Sequence, residues 1–348
     1  MMKRRFREHF RRRLLNLFLR FLKTEDVRGY LNLHSDEQSP LRTEVSNIAT
    51  PYKIGKPPSR SRVLARPPVF ITGRFRSGST LLWNIFRSLP DCTAYYEPFN
   101  ERRWFLAKNR GNQIDASHRG VTDYWSEYEG LEELAEYYRE DWIRHRLYMG
   151  NEHFDHFMLK YIELLSKNAC GRPVLQFNRV DFRLPWLRKN FPESPIIHIY
   201  RNPRDQWCSV LGNLSDYPAN APSGEGGFPR RFYQGVWVRD LCRQFPFLED
   251  YRHKHQYYNF YFLWKLSYNF GESFSDFSLS MEDLTEDPYS FTKKMLDAIG
   301  WSVPDENIDL AFVVKNKSRW QTYASDYWFI KIEKECEEVL ENFLDKKL

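Results

Sequence analysis

Gly73 and Gly78 stand five residues apart in Gly73-Arg74-Phe75-Arg76-Ser77-Gly78-Ser79-Thr80. The spacing matches G-x-x-x-x-G-[KST]-[ST], which turns loop amides and a helix N-terminus toward a phosphate-like anion. The lysine of an ATPase is replaced by Ser79, and the cation sits inside the loop as Arg76. A guanidinium there can bridge a leaving group and a transferring group, because it stays charged and offers several donors. The flanking residues supply the elements that position the loop. Val69 to Thr72 reads as a buried strand, and Leu81, Leu82, Ile85, Phe86 and Leu89 recur at helical spacing.

A second constellation lies further on. Ile196 to Tyr200 reads as a buried strand that ends in Arg201-Asn202-Pro203-Arg204-Asp205, with Ser209 in the helix that follows. A nucleoside triphosphatase ends such a strand with an aspartate for magnesium. An arginine suits a second phosphate group better than a metal, so the expected ligand carries two separated anionic ends. Taken singly, a glycine loop is often only a tight turn, and a strand-end arginine only an ion-pair residue.

Together these residues resemble the sulfotransferases that use 3′-phosphoadenosine 5′-phosphosulfate (PAPS). Arg76-Ser77-Gly78-Ser79-Thr80 is similar to that family's 5′-phosphosulfate loop, and Arg201 with Ser209 to its 3′-phosphate motif. Ser280-Met281-Glu282-Asp283-Leu284, followed by Pro288, resembles the strand and acidic turn near the end of the family's sheet. Lys315-Asn316-Lys317-Ser318-Arg319-Trp320 resembles the late basic loop that closes over the nucleotide, which adds Lys317, Ser318 and Arg319 to the expected contacts. The resemblance implies an α/β three-layer sandwich of the P-loop-nucleotide-hydrolase type, PAPS as sulfuryl donor, no metal, and a hydroxyl-bearing acceptor. It covers about residues 67 to 330.

Transfer of a sulfuryl group to a hydroxyl needs a base, cations at the bridging oxygen, and donor and acceptor in line. Arg76 fits the cationic role. For the base the expectation is Glu97, in Tyr95-Tyr96-Glu97-Pro98-Phe99, at the end of the strand after the loop helix. The resemblance supports it, since carbohydrate and protein-tyrosine sulfotransferases are proposed to use a glutamate at about this distance. The competing reading is a structural glutamate paired with Arg102 or Arg103. The cytosolic small-molecule branch carries lysine where Arg76 stands and a histidine base, so the resemblance is to a carbohydrate-like or bacterial branch, and the expected acceptor hydroxyl is that of a carbohydrate or glycolipid. Two other readings stay open. One is a P-loop kinase, against which Ser79 and Arg201 both count; the other is a non-catalytic nucleotide-binding scaffold at a membrane.

The elements expected around these motifs are those of a parallel sheet of about five strands. Candidate strands are Val69 to Thr72, Cys92 to Tyr96, Val174 to Phe177, Ile196 to Tyr200 and Phe277 to Met281. Asn178-Arg179, after the third of them, is a weak further candidate for the site. Residues 104 to 168 read as a predominantly helical insertion rich in tryptophan and tyrosine, forming an acceptor wall. Ala219 to Arg231 reads as a Gly/Pro-rich lid. The aromatic run Tyr257 to Phe270 has helical spacing and reads as core.

The 348-residue chain carries a formal charge of +6, but residues 1 to 23 hold nine Lys or Arg and one acid. That segment is +8, which leaves the remainder near −2 and argues against a nucleic-acid-binding face. From Phe10 to Lys23, Phe10, Leu14, Leu17, Phe18, Phe21 and Leu22 share one helical face opposite Arg12, Arg13, Arg20 and Lys23, with Arg11 out of pattern. Such a helix suits an anionic membrane surface or packing on the core, and Asn16 and Arg20 leave it too short to span a bilayer. Residues 1–66 thus read as a basic extension and linker, and 67–348 as the sulfotransferase domain. Five widely spaced cysteines show no disulfide framework, and the paired histidines His153/His156 and His253/His255 lack a zinc partner set. The expected compartment is the cytoplasm, with the extension peripheral on the membrane.

Overall fold

The run Val69–Thr72 forms β1, the middle strand of a five-stranded parallel sheet of order β2-β3-β1-β4-β5. A computed structural model describes residues 67–345 apart from 112, 222–231 and 316. The amphipathic segment 10–23, the linker to residue 66 and nearly all of the Gly/Pro-rich lid lie outside the described residues.

In chain order, β1 is followed by α1 (Ser79–Ser88), β2 (Cys92–Tyr96), α2 (His156–Asn168) and β3 (Arg172–Phe177). Next come α3 (Leu184–Asn190), β4 (Ile196–Tyr200), α4 (Pro203–Leu211), α5 (Gln234–Leu241), α6 (Phe247–Tyr251) and α7 (Gln256–Phe274). The last part is β5 (Phe277–Ser280), α8 (Met281–Glu286), α9 (Pro288–Ala298), α10 (Trp320–Tyr323) and α11 (Asp326–Asp345). All five strands fall where the apolar runs place them. Met281 begins α8 instead of ending β5, and β3 starts two residues earlier, at Arg172.

Parallel register pairs Phe70 with Leu175 and Ile196, and Thr72 with Phe177 and His198. Paired residues share a face, so Phe70, Thr72, Ile196 and His198 point one way and Val69, Ile71, Ile197 and Ile199 the other. α7 covers the first face so closely that a Cβ at Gly271 would lie 2.2 Å from His198 Nδ1. α1 starts against the second face, where a Cβ at Gly78 would meet Ile199 at 3.4 Å. Helices on both faces make three layers, and burial on both sides is why β1 and β4 are largely apolar. The aromatic run from Tyr257 is core, as its spacing predicts, and Tyr257, Tyr258 and Tyr261 donate to Glu333, Glu335 and Glu337 of α11 at 2.7, 2.8 and 2.7 Å.

The region 104 to 168 departs from its helical expectation. It holds short 3-10 turns at Ala107–Asn109, Ser126–Tyr128, Glu132–Glu136 and Glu140–Ile143, and one α-helix, α2. Two local causes are visible. Asp115 and Asp123 accept hydrogen bonds from the backbone amides of Ser117, Trp125 and Ser126, an alternative to the helical ladder. Gly120 and Gly130 turn the chain at φ 72° and 75°. Its aromatics serve mostly as core: Tyr128 stands over Tyr95 at 5.2 Å and Trp142 over Phe99 at 4.9 Å.

The topology fixes where a ligand can sit. The connection leaving β1 runs toward the β2 edge, and the one leaving β4 toward the β5 edge. Between these neighbouring strands lies the switch point, outside whose carboxyl ends open α/β sheets bind ligands.

Candidate functional site

The loop after β1 stays short because it uses left-handed backbone at Arg76 (φ 68°) and Gly78 (φ 99°). α1 then begins at Ser79 with no side chain capping its first amides, so those donors remain for an anion. The two hydroxyls of the first turn are tied to neighbouring strand ends. Ser79 Oγ donates to Asn178 Oδ1 at 2.8 Å, and Thr80 Oγ1 lies 3.2 Å from the Tyr96 hydroxyl. Ser77 Oγ is buried and has no hydrogen-bond partner among the described residues.

Arg201 follows β4 directly. Its carbonyl accepts from Trp264 Nε1 at 3.0 Å, while its Nη1 reaches the Arg76 carbonyl at a long 3.5 Å. Among the described residues no carboxylate comes within ion-pair distance of it. Burial pushes this guanidinium below its ordinary value; Asp205 and Glu282 work against that, while Arg76 and Arg319 add to it. A half-buried arginine with no carboxylate at ion-pair distance among the described residues keeps donors for an anion. α4 begins beside it, with Asn202 capping the amides of Arg204 and Asp205 and Pro203 at the first helical position. This presents Ser209, whose Oγ accepts from Arg76 Nε at 2.9 Å.

Glu97 has left-handed backbone (φ 39°), is 6% exposed, and has three donors on its carboxylate. Arg179 Nη1 lies 2.8 Å from Oε2, Asn100 Nδ2 2.7 Å from the same oxygen, and Asn178 Nδ2 donates to Oε1. Its arginine partner is therefore Arg179, and not Arg102 or Arg103. Burial works against the Arg179 charge, but Glu97 and then Glu101, at 2.8 Å, hold that guanidinium above its ordinary value.

A cleft of about 770 Å³ runs between these groups. Arg76, Gly78, Ser79, Thr80, Glu97, Arg201, Ser209 and Arg319 all line it. Ser77 is buried beneath the loop. Lys317 and Ser318 are exposed and do not line the cleft; the Ser318 hydroxyl is 3.0 Å from Asp205 Oδ1, which also accepts from the Arg319 amide at 2.9 Å. Trp104, Tyr124, Asp115, Ser117 and His118 are among the residues of the insertion that line it, with Asn178 and Arg179 from the end of β3. Of these, the β3 pair was open to inference from strand-end position alone, whereas Asp115 and Ser117 carry no periodic signal.

Among the described residues no group of His, Cys, Asp and Glu could hold a metal ion, all five cysteines are free, and no helix is long and apolar enough to cross a membrane.

A three-layer parallel sheet with a glycine loop after its central strand and an arginine after the next defines an α/β protein with its cleft at the switch point. A sequence profile of the Sulfotransferase family matches residues 67–305, well over half of the chain, and the protein belongs to that family. It is thus a transferase of sulfuryl groups. Comparison with curated proteins gives no match. Among solved structures, the sulfotransferase STF9 from Mycobacterium avium aligns with a TM-score of 0.40 and 12% identity, over 88% of this chain and 81% of that one.

Proposed function

We propose that the protein transfers the sulfuryl group of PAPS to an acceptor hydroxyl of a carbohydrate or glycolipid. The observation that carries this reading is one continuous cleft holding both the anion loop of β1 and, at the end of the adjoining strand, an arginine with no carboxylate partner among the described residues. The residues fit such a donor. The uncapped first turn of α1 asks for an acceptor-rich anion, and Arg201 asks for a second one.

When bound, the donor supplies a sulfuryl group joined to a phosphate leaving group. In this reading, residues 76–80 hold the 5′ end through amides and hydroxyls, and Arg201, Ser209 and Arg319 hold the 3′-phosphate, with Lys317 and Ser318 on the outer part of the same late loop. Arg76 neutralises charge that develops on the leaving oxygen; as a permanent cation it is a poor proton donor. Glu97 takes the acceptor proton. An ionised carboxylate has about four acceptor positions, and Arg179, Asn100 and Asn178 use three, which leaves one for a hydroxyl. Trp104 and Tyr124 in the cleft wall suit a sugar ring, whose apolar face stacks on aromatics. We further assign residues 67–348 as the catalytic domain and residues 10–23 as a peripheral contact with an anionic membrane surface, with the enzyme in the cytoplasm.

The test is transfer of radiolabelled sulfuryl from PAPS to a panel of neutral and acidic oligosaccharides, glycolipids and simple phenols. Label on a glycan or glycolipid is expected; label on phenols alone would move the acceptor to another class, and no label from PAPS together with phosphoryl transfer from labelled ATP and magnesium in a parallel run would overturn the reading.

A further inference from the structure

Every nitrogen of the Arg76 guanidinium is already engaged by the protein itself. Nε donates to Ser209 Oγ, Nη1 lies 3.3 Å from Asp115 Oδ2, and Nη2 donates to Ser117 Oγ at 3.1 Å. The last two partners act as one unit. Asp115 Oδ1 accepts from the Ser117 amide at 2.9 Å and from its hydroxyl at 2.6 Å, which leaves Oδ2 directed at the arginine. Behind them the segment is pinned through Tyr124, whose hydroxyl accepts from the Asp115 amide at 3.1 Å, lies 2.6 Å from His118 Nδ1, and whose ring stacks on Tyr96 at 4.5 Å.

An anion arriving at the first turn of α1 meets a negative carboxylate already seated on the loop arginine. Two anions at one guanidinium repel each other, and the weaker-held one leaves. Asp115 is open to exchange: its side chain is 49% exposed, and an ion pair so open to water is held loosely.

We propose that Asp115, braced by Ser117, is an internal competitor for Arg76 that the anionic end of the nucleotide displaces, so that residues 113–120 release from the loop only when the donor is seated. This rests on the assignment of the cleft as the PAPS site. The segment also carries His118 and Arg119 into the cleft wall, so the same displacement reshapes the acceptor side after donor binding.

The sign of one substitution tests this. Asp115→Asn keeps an acceptor for the Ser117 amide and hydroxyl but removes the competing charge. Its dissociation constant for adenosine 3′,5′-bisphosphate is expected to fall roughly three- to tenfold at low salt, with the gain shrinking as salt screens the pair. Asp115→Ala should shift affinity the same way, and bisphosphate should speed amide exchange in residues 113–120 of the unmodified protein. Unchanged or weaker binding in both variants overturns the competitor role, since it would make Asp115 an orienting partner of Arg76. Absence of bisphosphate binding to the unmodified protein is a separate outcome, which overturns the donor-site assignment and the competitor role with it.

Discussion

Arg76 Nε lies 2.9 Å from Ser209 Oγ although 133 residues separate them, so the loop after β1 and the helix after β4 share one hydrogen bond. The two proposed anion subsites are therefore joined by a direct hydrogen bond. The transferring end and the anchoring end of a nucleotide would be held at a separation set by the β1–β4 pairing.

That linkage makes two arginine substitutions distinguishable. Arg76→Ala should lower kcat far more than it weakens adenosine 3′,5′-bisphosphate binding, since its main interaction develops in the transition state. Arg201→Ala should chiefly weaken binding, by roughly 2 to 5 kcal/mol for a desolvated charge pair. Steady-state kinetics with calorimetry on each variant separates the cases, and equal effects on kcat and affinity in both would count against these roles.

Glu97→Gln keeps the shape of the side chain and removes its basicity. The expected result is loss of sulfuryl transfer by roughly a hundred- to ten-thousand-fold, with bisphosphate affinity retained. Circular dichroism should show a folded protein, because Arg179 keeps its ion pair with Glu101. Full activity in this variant removes Glu97 from the chemistry.

Gly78 carries backbone that side chains adopt at a cost, and a Cβ there would come within 2.9 Å of Met281 Sδ. Gly78→Ala should destabilise the fold by about 1 to 3 kcal/mol and weaken bisphosphate binding, because the strain falls on the loop itself. Thermal melts with and without the bisphosphate read both effects; a variant that melts and binds like the unmodified protein would show that the loop conformation is not required.

His198 gives the fold a pH dependence of known sign. Burial pushes its imidazole down to about 3, beside Ser278 Oγ at 2.8 Å. The unfolded chain, with an ordinary imidazole, binds a proton that the folded one refuses. This histidine therefore costs no stability above about pH 6.5, and its cost grows as pH falls toward 3. At pH 5 it amounts to about 2 kcal/mol. Urea melts at pH 7 and pH 5 should show His198→Gln losing less stability between the two pH values than the unmodified protein; equal losses would mean that His198 takes up its proton while folded.

The strands and the strand-end arginines were legible because both depend on local pattern. Val69 to Thr72 and Ile196 to Tyr200 are buried strands, so each is a largely apolar run, interrupted in the second only by His198, and its end marks the edge where the ligand is proposed to bind. The insertion was not legible in the same way. Its aromatics at 124, 128 and 142 are spaced to reach Tyr96, Tyr95 and Phe99 across the fold, and helical counting misreads that spacing. The partners of Glu97 show the same limit. Arg102 and Arg103 are near it in sequence, yet Arg179 is 82 residues away and arrives beside it because β2 and β3 are neighbours in the sheet. Asp115 met Arg76 for no reason that spacing could disclose.

The most direct test of the nucleotide assignment is calorimetric titration of the purified protein with adenosine 3′,5′-bisphosphate without metal, beside ATP with magnesium. Tight, metal-free binding of the bisphosphate that is lost in Arg201→Ala is the predicted result. Binding of magnesium ATP alone, or bisphosphate binding indifferent to Arg201, would contradict it.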